Sequence, residues 1–161
     1  MYLSEFAALA ATAVSGAQRR EQVWGRVLSE LGALCRASRV EMVQLGSDSI
    51  EFVALWSADG EHEEPPSRWS MSQTTMSTQL ARVRVPVRVD DWTCVEGDLA
   101  AIRERVPAAG SVLAPVFLDG NLWGAVVVDC PIGEILPPDT ERRAAGFALG
   151  ARHERGHSWP G

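Results

Sequence analysis

The chain has 161 residues, of which 46% are apolar and 22% charged, and a formal net charge of −6. That suffices for one domain with its own core and no need of disulfides or metals. The acidic balance, without a basic tract, argues against nucleic acid or an anionic membrane as a main partner. Every basic side chain is arginine, so Schiff-base and P-loop lysine chemistry are absent. Cys35, Cys94 and Cys130 are odd in number and widely spaced, which fits neither a disulfide framework nor a thiolate zinc site. The first apolar residues are broken by Ser4 and Glu5. No apolar run approaches the roughly 18 residues of a membrane span, so a cytoplasmic chain is expected.

Along the chain, Leu3, Phe6, Leu9, Ala10, Ala13 and Val14 recur at helical spacing. Residues 1–18 are therefore expected to be a helical extension, 19–155 the domain, and 156–161 a frayed tail. A second helix is predicted through Val23, Trp24, Val27, Leu28, Leu31, Leu34 and Cys35. Gly25 and Gly32 each weaken it by about 1 kcal/mol relative to alanine. Its stripe has two readings, packing on the chain's own sheet or pairing with a second subunit.

Val40 to Leu45 and Ile50 to Trp56 are β-rich runs joined by Gly46-Ser47-Asp48-Ser49, a hairpin loop. In the second run Phe52, Ala54 and Trp56 alternate with Val53, Leu55 and Ser57. The acidic, proline-bearing stretch from Ala58 to Ser67 reads as a loop and Arg68 to Met71 as a short strand. Thr74 to Val83 is predicted as a helix. Val85 to Val89, with Pro86, belongs at a sheet edge or in a connection. Asp91 or Asp90 caps the turn at Trp92 or pairs with Arg88, and a helix is predicted from Asp98 to Arg105. Ser111 to Asp129 is two apolar strands around Asp119-Gly120-Asn121, a strong hairpin signal. Pro137 to Glu141 then opens a last helix reaching His153.

Terminal helices, two pairs of strands and a mixed middle describe an α+β fold, an antiparallel sheet with the helices on one face. The middle, Arg68 to Val106, then covers the other face, where a small-molecule cavity can form. Trp69 and Trp92 are placed in that roof, each offering an apolar ring and one N–H donor. Met71 and Leu80 supply adaptable walls. Alternation puts Trp123, Ala125, Val127 and Asp129 on one face of their strand. If Gly124 admits a closely packed helix on the other face, Val127 points to the pocket. Trp24 and Trp123 are expected in the core. Asp90 and Asp91 point opposite ways in an extended segment and so do not form one metal or acid/base site.

The chain resembles a GAF domain, notably the GAF sensor modules of actinobacterial two-component histidine kinases. The likeness lies in Arg68-Trp69, Pro86 to Trp92, Ser111 to Val116, Gly120 to Ala125 and Leu136 to Glu141. The resemblance implies a six-stranded antiparallel sheet, a helical layer used in dimerisation, and a pocket lined by Trp69, Met71, Leu80, Trp92, Ser111 and Val127. It also implies that ligand occupancy is relayed through the terminal helices to a kinase or another output domain. No phosphoacceptor context surrounds His153.

Some GAF sensors bind haem through a histidine just before the strand matching Ser111 to Val116, yet Arg103 to Gly110 has none. A linear tetrapyrrole would commonly attach to a cysteine, and Cys94 has no neighbouring histidine. The Asn-Lys-Phe-Asp-Glu signature of cyclic-nucleotide GAF domains is absent too. The ligand is therefore left unassigned and no catalytic or metal-binding residue is expected. Two alternatives stand beside a non-enzymatic sensor. One is an interaction scaffold with a vestigial pocket; the other is a free methionine sulfoxide reductase using Cys94, although the earlier cysteine of that family, near Met71 to Met76, is missing.

Overall fold

The computed structural model describes residues 17–46, 48–60, 68–70, 75–94 and 108–155. The expected helices at Leu3 to Val14 and Asp98 to Arg105, and the 156–161 tail, lie outside the described residues. The order is α1 (Ala17–Cys35), β1 (Arg39–Leu45), β2 (Ser49–Ser57), β3 (Arg68–Ser70), α2 (Thr75–Val83) and β4 (Val87–Val89). A 3₁₀ turn (Trp92–Cys94), β5 (Ser111–Leu118), β6 (Asn121–Asp129) and α3 (Thr140–Arg155) follow. The strands form a six-stranded sheet in the order β3-β2-β1-β6-β5-β4, and every pairing is antiparallel. The proline-bearing run at Val85 to Val89 does supply an edge strand, and Pro86 stands just before it, where no ladder donor is needed.

Alternation along the central strands divides the interior in two. Val40 and Met42, Val112, Ala114 and Val116, and Val126 and Val128 face the layer of α1 and α3. The α1 stripe of Trp24, Val27, Leu28, Leu31 and Cys35 is spent on this face of the chain's own sheet. Val43, Ile50, Leu113, Ala125 and Val127 face the other way, under Leu80 of α2 and Trp92 of the 3₁₀ turn. Full burial of each such aliphatic side chain contributes about 1.5–3 kcal/mol.

Two register shifts override simple alternation. Met42 pairs with Ala54 but Val43 pairs with Phe52, leaving Val53 as an extra residue in β2. Phe52 therefore lies on the α2 side, while Ala54 and Trp56 face the helical layer. In β6, Gly124 opposes Val116 and Leu122 opposes Phe117, so Trp123 is extra. A bulge bends the strand and turns the residues beyond it over. Trp123 accordingly packs with the helix-side core, and Leu122 with the opposite one. The expectation that Trp123 shares a face with Val127 is corrected on this ground. So is the role expected of Gly124. A Cβ there would lie 2.1 Å from the Val43 carbonyl oxygen, so the glycine admits the neighbouring strand and not a helix.

Both described helices that precede strands stop on an arginine in the left-handed region, Arg36 at φ 50° and Arg84 at φ 58°. After α1, Arg36 N–H donates to Ala33 and Ala37 N–H to Gly32, the bond pair of a Schellman cap. The hairpin turn of β5 and β6 has positive φ at both Asp119 and Gly120, as a type I′ turn needs. At the other end of the sheet, β4 is tied to α3. Arg88 Nε and Nη2 reach the two carboxylate oxygens of Glu141 at 2.5 and 2.7 Å. The same guanidinium donates to the carbonyls of Leu136 and Pro137 at 3.1 and 2.8 Å. Glu141 stands in the first turn of α3, where the helix dipole also favours an anion.

The two glycines of α1 are equivalent in a helical pattern but not in space. A Cβ on Gly32 would fall 2.0 Å from the Trp56 ring, whereas one on Gly25 meets nothing within 4 Å. Gly25→Ala is expected to stabilise by up to about 1 kcal/mol, and Gly32→Ala to destabilise by about 1–3 kcal/mol; urea unfolding of both variants measures the difference. The Arg88 guanidinium holds the Glu141 carboxyl below its ordinary range, chiefly through their hydrogen bond. With the folded value depressed, the stability from Glu141 is complete above the unfolded carboxylate value, about 4.3, and is lost as pH falls through the folded one. The stability gap between the wild type and Glu141→Gln should therefore be constant near neutrality and close in acid, as read by unfolding at a series of pH values.

Candidate functional site

The sheet face beneath α2 and the 3₁₀ turn is built in rows across the strands. Cross-strand register places Ser111 beside Asp129, Asp129 beside Arg39, and Arg39 beside Ser57. The next row is Leu113, Val127, Glu41 and Leu55, and the one after it Pro115, Ala125, Val43 and Phe52. The face thus grades from a polar end to an apolar one. Such a gradient, largely apolar with a few convergent polar groups, characterises small-molecule sites.

The polar end is deeply covered: Ser111 and Asp129 are 0% exposed and Glu41 is 3% exposed. Trp92 Nε1 donates to Ser111 Oγ at 2.7 Å, and Ser111 Oγ is 2.5 Å from Asp129 Oδ1. An indole nitrogen only donates, so Ser111 must accept from it and give its own proton to Asp129. This fixes the direction of the chain and pins Trp92 over the row. Arg39 Nε lies 2.6 Å from Glu41 Oε1. Arg39 Nη2 is buried and has no hydrogen-bond partner among the described residues.

The turn that carries Trp92 is set by its neighbours. Asp91 Oδ1 accepts from Thr93 N–H at 2.9 Å and Thr93 Oγ1 at 2.5 Å. These bonds, the side-chain one foremost, hold the Asp91 carboxyl below its ordinary range. Of the roles expected for the aspartate pair, Asp91 takes capping, while the Arg88 side chain goes to Glu141. Cys94 is exposed on the same turn, with Sγ 3.7 Å from Asp91 Oδ2. Cys35 and Cys130 belong to the helix-side core, where burial pushes both thiols up. Among the described residues no group of three or more His, Cys, Asp or Glu side chains is arranged to hold a metal. No described helix is long and apolar enough to cross a membrane.

Of the residues named from the sequence, Leu80, Trp92 and Val127 share the α2-side cluster, and Ser111 joins Trp92 through their hydrogen bond. The indole N–H of Trp92 is thereby committed to the protein, and its ring packs in the α2-side cluster. Trp69 lies in β3 with its backbone opposite Ile50; its side chain and all of Met71 lie outside the described residues. Sequence reasoning missed Arg39 and Glu41 and gave Asp129 no role. The available signal was their alternation with Val40 and Met42 in a strand covered on both faces, where charge is costly unless paired.

No family model matches the chain, and no curated protein matches it in sequence. Solved structures do resemble it. A bacteriophytochrome of the photosynthetic bacterium R. palustris is 11% identical, with a TM-score of 0.71, and covers 94% of this chain; the chain spans 37% of that protein. The phycocyanobilin-bound GAF domain of a cyanobacterial phytochrome is 17% identical, with a TM-score of 0.65 over 98% of this chain and 96% of its own. The free methionine sulfoxide reductase of Staphylococcus aureus, in reduced form, is 12% identical, with a TM-score of 0.64 over 95% and 94%. At such identities the likeness is one of fold, and the chain has the GAF fold.

Ser111→Ala removes the acceptor of a buried indole N–H and the donor to a buried carboxylate together. The expected cost is about 2–3 kcal/mol, measured by chemical denaturation. Ser111→Thr, which keeps the hydroxyl, should lose less.

Proposed function

We propose that the chain is a non-enzymatic GAF module that senses a small molecule for a signal-transduction protein and relays occupancy through its terminal helices. The observation that carries this reading is the sheet face opposite α1 and α3, apolar at Val127, Leu113 and Ala125 and polar at Ser111, Asp129 and Arg39. The phycocyanobilin-bound GAF domain supports a ligand on this fold. Trp69 and Met71 are proposed to complete the enclosure begun by Leu80 and Trp92.

A route from this face to a helix is also present. Val87 and Val89 of β4 pack with the α2-side cluster, while Arg88 between them grips Glu141 and the carbonyls that precede α3. A shift of β4 caused by ligand is therefore felt at the start of α3. Dimerisation through the N-terminal helices, and a kinase or other output domain of a cytoplasmic two-component system, complete the proposal.

The second reading is sulfoxide reduction, favoured by the likeness to the Staphylococcus aureus enzyme. It needs an activated thiolate. Cys35 and Cys130 are thiols in the helix-side core, pushed the wrong way by burial, which leaves only Cys94, on the 3₁₀ turn that covers the ligand face.

Native mass spectrometry and an absorption spectrum of the fresh protein, followed by a metabolite screen read by tryptophan fluorescence, test the sensor reading. A retained or added small molecule that shifts the Trp92 signal is the expected result, with light scattering reporting a dimer. An interior that admits no small molecule sinks it, and sulfoxide reduction that is lost in Cys94→Ala would establish the second reading in its place.

A further inference from the structure

Among the described residues, the Arg39 guanidinium at the polar end has buried donor atoms whose hydrogen-bonding capacity is unspent. Its charge is already answered by Glu41, at 2.6 Å on the same strand. Its donors are not: Nη2 is buried without an acceptor among the described residues. A buried N–H left without a partner costs free energy that an incoming acceptor recovers. What Nη2 lacks is an acceptor, and not a counter-charge. A carboxylate brought to this guanidinium would sit beside that of Glu41, with no further positive charge offered by Arg39.

Resting on the sensor reading above, we propose that the ligand is an uncharged, apolar molecule bearing a carbonyl group, such as an amide, lactam or ketone. Its carbonyl oxygen accepts from Arg39 Nη2 at the polar end. Its apolar body runs down the graded face over Val127, Ala125 and Leu113, toward Leu80. The direction of the Trp92–Ser111–Asp129 chain sharpens this assignment. Both the indole N–H and the serine hydroxyl proton are consumed within the protein, so the carbonyl is met by the guanidinium and not by those donors.

The test uses the full 161-residue chain and three probes of one shape: 3-phenylpropionamide, 3-phenylpropionate and 3-phenylpropylamine. Binding is followed by the indole N–H resonance of Trp92, identified with Trp92→Phe, and by the side-chain N–H resonances of Arg39. The amide should bind at least about tenfold more tightly than either charged probe, a difference of about 1.4 kcal/mol, and should shift the Arg39 resonances. In Arg39→Met that preference should disappear while apolar binding remains. Equal or tighter binding of the acid or the amine at the Trp92 face would overturn the carbonyl assignment and leave the sensor reading standing. Binding of the amide without any change at Arg39 in the wild type would overturn it too, whether or not Arg39→Met folds. Failure of all three probes to move the Trp92 resonance counts against the assignment, and a negative metabolite screen besides would remove the sensor reading with it.

Discussion

The pairing of β1, β6 and β5 is the constraint on which the rest of the molecule depends. These strands are covered on both faces, so their alternation decides for each side chain which of two interiors it joins. Val126 and Val128 go to the helices, and Val127 between them goes to the ligand face. A slip of one residue would exchange the two sets entirely. The two bulges fix the register against such a slip, and Gly124 lets the backbones meet where a Cβ would strike the Val43 carbonyl.

That same register assembles charge in the interior. Ser111, Asp129, Arg39 and Ser57 come from four strands and become neighbours only because the ladders align them. Desolvating ions costs several kcal/mol each, and hydrophobic replacement of a buried ion pair is often neutral or stabilising by about 1–4 kcal/mol. The Arg39–Glu41 pair is therefore a poor explanation of stability. It is better understood as a feature held in place by a core that is strong enough to carry it. The helix-side core supplies that strength, with Leu28, Leu31, Val40, Val112 and Val128 at 0–1% exposure.

The edge strand β4 joins the two halves. Three residues long, it presents valines to the ligand face and an arginine to the start of α3. One short strand thereby connects the proposed sensing surface to a terminal helix through a bidentate, charge-assisted bond. The cap on α1 and the Asp91 turn below Trp92 are local devices of the same kind, each spending polar groups to fix where an element stops.

Much of this was legible in the residues. Helical spacing marked α1, prolines and acids marked the start of α3, Asp119-Gly120 marked the hairpin, and Pro86 marked an edge, because each is a local preference of backbone or side chain. Alternation grouped Val127 with Ala125 and Asp129, but the side that group takes is set by strand pairing and not by a helix at Gly124. Trp123 and Phe52 were assigned to the wrong partners, since a bulge is a property of two strands together and leaves no mark in one. Gly25 and Gly32 looked alike for the same reason: only the Trp56 ring, brought in from β2, tells them apart. The sequence by itself determined the elements, their order and the antiparallel hairpins, because those rest on short-range conformational energies. Only the tertiary structure decided that Arg39, Asp129 and Ser111 form one polar row, because cross-strand register joins residues that are far apart in the chain.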